Sequence, residues 1–77
     1  MSRYEYFIHL DCGGYSAEDK EAVMDLIRGG RKTVAQMAAV MGKDARHVSN
    51  VVRYIEGLGV IQKAGRCHGR LLYEVKA

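Results

Sequence analysis

The chain has 77 residues, 48% of them hydrophobic, with no proline and no tryptophan, which bounds it to one small domain and argues against disorder. It carries 12 Lys/Arg against 9 Asp/Glu, a net charge of +3, and contains no apolar run of about 18 residues that would make a membrane-spanning helix. Two cysteines, Cys12 and Cys67, are too few for a secreted disulfide scaffold, and both are read as free thiols in a reducing compartment. The amino terminus MSRYEYFIHL lacks the continuous apolar core of a secretory signal, so a cytoplasmic location is expected. Charge is unevenly spread. Residues 1–27 hold two basic and six acidic side chains, and residues 28–77 hold ten basic and three acidic ones. A basic region of that length suits an anionic partner such as nucleic acid, or is a solvated surface with uneven charge.

Residues 3–10, RYEYFIHL, are aromatic and β-prone, with Tyr4, Tyr6, Ile8 and Leu10 alternating, and predict a strand. DCGGY breaks it. Ser16 is a helix cap, Glu18 and Asp19 suit the positive end of the dipole, and Ala22, Val23, Leu26 and Ile27 have helical spacing. A first helix over 17–28 follows, stopped by Gly29-Gly30. Thr33 and Gln36 have the spacing of a capping box, and Val34, Met37, Ala38 and Met41 make one face of a second helix over 34–41. Gly42 suits a left-handed cap, and Asp44 begins a third helix over 45–57. There Val48, Val51, Val52 and Ile55 form the apolar face, and Gly57-Leu58-Gly59 ends it. Residues 60–76 then predict a hairpin, VIQKA and RLLYEVK flanking a five-residue tip GRCHG.

Two short helices joined by the tight turn Gly42-Lys43-Asp44 are a helix-turn-helix, and the hairpin after the second one makes it winged. The stretch KTVAQMAAVMGKDARHVSNVVRYIEGLGVIQKAG resembles the winged helix-turn-helix superfamily of bacterial, archaeal and phage regulators. Thr33, Val34, Met37 and Ala38 match its usual start, and Ile55, Glu56, Gly59, Val60 and Ile61 match its closing phrase. The resemblance covers residues 17–76, and in size the chain is similar to small stand-alone regulators such as those of fimbrial operons. It implies an α+β fold with a three-helix core, a C-terminal β-hairpin wing and, as an addition, the N-terminal strand.

It also implies a sequence-specific regulator that binds double-stranded DNA, its third helix in the major groove. With the valine row turned inward, Arg46, Ser49, Asn50 and Arg53 are left to read bases, since Arg pairs bidentately with guanine and Asn with adenine. Arg66, His68 and Arg70 of the wing are expected on the phosphate backbone or in a minor groove. Lys32, Thr33 and Lys43 are further candidate phosphate contacts, with Arg31 beside them. A homodimer, or a partner protein on DNA, is expected because one such module makes a small footprint; strand 3–10 is either the candidate dimer surface or a third strand beside the wing hairpin. The alternative is a protein-interaction winged helix without DNA contact, with the acidic first 27 residues serving the partner.

Other chemistry is not supported. His9, Cys12, Cys67 and His68 fit no common zinc spacing, no cofactor or effector pocket is indicated, and no enzyme motif is present. Cys67 beside Arg66 and His68 is a possible reactive thiol or an idle one. Met24, Met37 and Met41 are read as core filler. The spacing Asn50-x-x-x-Tyr54 is similar to that of Z-conformation nucleic-acid-binding winged helices, but the prolines and tryptophan of those wings are missing. Tyr54 is expected to pack beneath the wing.

Overall fold

The computed structural model describes residues 14–76; the expected strand 3–10, with His9 and Cys12, lies outside the described residues. The elements run α1 (Ala17–Arg28), β1 (Lys32–Thr33), α2 (Val34–Met41), α3 (Ala45–Leu58), β2 (Ile61–Cys67) and β3 (Arg70–Val75). Each helix starts where a side chain satisfies an otherwise orphaned amide. Ser16 Oγ accepts from Asp19 N–H at 3.1 Å. Thr33 and Gln36 form a reciprocal capping box, with bonds of 2.9 and 3.2 Å. Asp44 Oδ1 accepts from Arg46 N–H at 2.7 Å.

The turn between α2 and α3 depends on Gly42, whose φ of 67° is left-handed. Its amide and that of Lys43 both return to the Ala38 carbonyl, closing α2 and redirecting the chain within three residues. The three helices converge on one core. Val48, Val51, Val52 and Ile55 of α3 have no exposed surface, and they meet Val23, Met24 and Ile27 of α1 and Met37 and Ala38 of α2. Ile61 and Tyr73 bring the sheet into the same cluster. Met24 and Met37 are buried, and Met41 packs half-buried at the edge. No helix among the described residues is long and apolar enough to cross a membrane.

The sheet is antiparallel, in the order β1-β3-β2. Its two-residue strand β1 was not anticipated: Lys32 and Thr33 pair with Tyr73 and Leu72, so the start of α2 is hydrogen-bonded to the wing.

The wing also departs from expectation. Strand β2 continues through Cys67, which pairs with Arg70, leaving His68 and Gly69 as a two-residue tip rather than GRCHG as a five-residue one. His68 and Gly69 have φ of 52° and 77°. Positive φ at both central residues is the signature of the type I′ turn, whose twist suits a tight hairpin. Gly65, expected at the tip, lies instead in a bulge. Between the pairs Lys63–Tyr73 and Arg66–Leu71, the two residues Ala64 and Gly65 face the single Leu72.

A second correction concerns Tyr54. Its ring packs 5.5 Å from that of Tyr15, and Lys20 Nζ lies 5.2 Å from its centroid. Lys20 is fully buried there, its ammonium over an aromatic face. Tyr54 therefore faces α1, and Tyr73 is the tyrosine at the root of the wing.

Candidate nucleic-acid interface

Once the apolar row is buried, the remaining faces of α3 point in three directions. Ala45, Ser49, Arg53 and Glu56 recur at helical spacing along the flank toward the wing. Arg46 and Asn50, one turn apart, stand exposed on the outer face. His47 and Tyr54 lie on the far flank, against α1.

The wing-side flank of α3 is one wall of a concave groove of about 470 Å³. The other wall is the wing, with Lys63, Arg66, Leu71 and Tyr73, and Gly69 and Arg70 extend it toward the tip. Val34 and Ala35 of α2 close the end. Four of the predicted contacts, Ser49, Arg53, Arg66 and Arg70, thus meet around one depression, and Arg46 and Asn50 border it on the outer face.

Lys63 is a basic wall residue that the sequence did not single out. In a regular strand, residues three apart point to opposite faces, so Lys63 and Arg66 should diverge. The bulge at Ala64-Gly65 brings both to the groove side, opposite Tyr73 and Leu71. The alternating pattern of a strand shows no sign of this; an Ala-Gly step inside a β-prone run is the only local hint.

Glu56 is the acid in this wall. Burial pushes the Tyr73 phenol above its ordinary value, the Glu56 carboxylate adds to the rise, and the Arg53 cation opposes it. Opposite charges thus flank a buried phenol where helix and wing meet. Arg66 bends back over its own turn, Nη1 donating to the Gly69 carbonyl at 3.2 Å.

The remaining predicted contacts have other surroundings. Thr33 is 3% exposed, and its hydroxyl is committed to the α2 cap, so its side chain is not open to a phosphate. Lys32 is half-buried, with Nζ 3.5 Å from the Gly30 carbonyl. Lys43 Nζ lies 3.9 Å from Asp19 Oδ1, on the α1 side of the turn. His68 is exposed at the wing tip. Arg31 pairs with Glu74 Oε1 at 3.0 Å, and Gln62 donates to Glu74 Oε2 at 2.8 Å. Gln62 and then Arg31 hold the Glu74 carboxyl below its ordinary range. Cys67 is a half-buried free thiol. Among the described residues, no group of three or more His, Cys, Asp or Glu is placed to hold a metal ion.

The architecture recurs in a solved structure, the homodimeric winged helix-turn-helix DNA-binding domain (fragment 1–100) of a possible ArsR-family transcriptional regulator from Mycobacterium bovis. The two share 19% identity and a TM-score of 0.68, over 75% of this chain and 53% of that one. This chain therefore spans about half the length of that solved structure, and at this identity the likeness establishes the winged helix fold alone. No protein-family model matches the sequence, and no curated protein matches it significantly.

Proposed function

We propose that the protein is a sequence-specific double-stranded DNA-binding transcriptional regulator that acts as a homodimer. The observation that carries this reading is the groove in which Arg53, Lys63, Arg66 and Arg70 surround the space between α3 and the wing. An α-helix fits the major groove of B-DNA, and the exposed Arg46 and Asn50 are the side chains with base-specific pairing geometry. Ser49 and Arg53 line the flank beside them, while Lys63, Arg66, His68 and Arg70 follow the phosphate backbone. The solved neighbour is itself described as a homodimeric DNA-binding domain. Residues 3–10 are the sequence-level candidate for the dimer contact. A cytoplasmic location beside the nucleoid follows from this reading.

A second reading, as a protein-interaction winged helix, draws on Val40, a valine of α2 that is 69% exposed, and on the exposed acids Glu18, Glu21 and Asp25 of α1.

Selection of bound sites from random duplex DNA, followed by a salt titration, separates the two. A DNA reader returns a consistent site, palindromic for a homodimer, and loses affinity by roughly 0.9 log units per log unit of salt for each phosphate contact. Joint replacement of Arg46, Asn50 and Arg53 by alanine is expected to remove sequence preference. Absence of duplex binding by the wild type at low salt excludes the first reading.

A further inference from the structure

Asp19 is remote from the basic groove, yet it touches both parts of the segment that presents the outer face of α3. It lies in the first turn of α1, where Ser16 caps its own amide. Its Oδ2 meets His47 Nε2 at 2.8 Å, and its Oδ1 lies 3.9 Å from Lys43 Nζ. Lys43 belongs to the turn before α3, and His47 is the third residue of α3, next to Arg46. The Asp19 side chain is only 13% exposed. One carboxylate therefore ties α1 to the turn and to the first turn of the helix that carries Arg46 and Asn50.

The valine row buries α3 against the core, but apolar packing is not directional. A bidentate bond to a base edge is directional, and weakens steeply with angle. A charge-assisted bond at the start of the helix adds a directional constraint to the packing of the core.

We propose that Asp19 is a positioning residue for DNA recognition: through His47 and Lys43 its carboxylate fixes the pose in which α3 presents Arg46 and Asn50 to base edges. This rests on the DNA-binding reading above. His47, Lys43 and the Ser16 cap all hold the Asp19 carboxyl below its ordinary value, although burial works against them.

One consequence distinguishes positioning from charge alone. Asp19 is an acid on a basic protein, so if it acted only through the overall field, its loss would tighten binding to every duplex. A positioning role predicts the opposite for the preferred site.

The experiment measures affinity for the duplex recovered by selection and for a shuffled duplex of equal length, using wild type, Asp19→Asn, Glu18→Gln and His47→Gln. Asp19→Asn is expected to lower the preferred-to-shuffled ratio about tenfold, on the scale of one lost base contact, without weakening binding to the shuffled duplex. Glu18→Gln removes an exposed acid of the same turn and should tighten both equally. His47→Gln retains a donor to the carboxylate, so its ratio should stay within about threefold of wild type. If Asp19→Asn does not fold, His47→Leu carries the same tenfold expectation. An undiminished ratio in Asp19→Asn or His47→Leu, or a tenfold loss in His47→Gln, overturns the proposal while leaving the DNA-binding reading intact. A wild type that binds no duplex overturns both.

Discussion

Helix α3 and the wing are the two walls of one groove, and they are held in place by different means. Four side chains of α3 have no exposed surface, and its ends are fixed by Asp44 and by Gly59 at a φ of 84°. The wing enters the core only at its root, through Ile61 and Tyr73; beyond Gly65 its residues are exposed or half-buried. Its shape comes from strand register, a bulge and a type I′ tip. Burial therefore anchors the wall that offers Ser49 and Arg53, with Arg46 and Asn50 on the outer face beside it, and backbone conformation sets the wall that offers Lys63, Arg66 and Arg70. On the proposed DNA-binding reading the division suits two tasks, since base edges demand accurate placement and phosphate attraction is long-ranged and tolerant.

The largest expected difference between the walls is in stability. Ile55→Ala should cost about 2–5 kcal/mol in urea unfolding, as a fully buried large-to-small change. Leu71→Ala, from a half-buried wing position, should cost less than half as much, and equal losses would erase the distinction. Next is recognition. Asn50→Ala should lose about 1–3 kcal/mol of discrimination at the selected site with little change in salt slope. Joint Arg66→Ala and Arg70→Ala should weaken all duplexes alike and reduce the salt slope by about 2. A smaller effect belongs to the wing tip: Gly69→Val, at a φ of 77°, should cost about 1–2 kcal/mol in thermal unfolding.

The smallest effect is in acid. Asp19 and Glu74 both have folded-state pKa values below their ordinary 3.8 and 4.5. Their contribution to stability is thus complete above those values, and is lost as pH falls through the depressed ones. Unfolding free energy measured from about pH 6 to about pH 2 should decline less steeply in Asp19→Asn than in wild type. The change in Glu74→Gln should be smaller, because the Glu74 carboxylate is more open to solvent screening.

The helices were legible in the sequence because their signals are local. The cap at Ser16, the capping box at Thr33 and the valine row each lie within a few residues. What escaped notice depends on residues far apart in the chain. Strand β1 exists only because Tyr73 and Leu72 lie beside it. Thr33 has the composition of a phosphate contact, yet the sheet and the α2 cap bury it. Tyr54 projects from the flank of α3 that Tyr15 and Lys20 of the α1 region cover, which helical spacing alone does not reveal. The contact between Asp19 and His47 spans 28 positions and leaves no pattern in either neighbourhood. For the candidate site, the residue types were readable and their grouping was not. Composition marks the wing as basic, but which of its cations share a face is a matter of register.

The bulge at Ala64-Gly65 makes that register a question of parity. An odd interval along β2 behaves as an even one, so the wing concentrates its charge on one side with no change in composition. Deleting Ala64 would leave Lys63 and Arg66 two positions apart and still on one side, whereas flattening the bulge at unchanged length would restore strict alternation and send them to opposite sides. The net charge would be untouched, yet the groove would lose one of its cations. In a wing built this way, a backbone change that flattens the bulge acts as an electrostatic mutation, and it does so without altering any charged side chain.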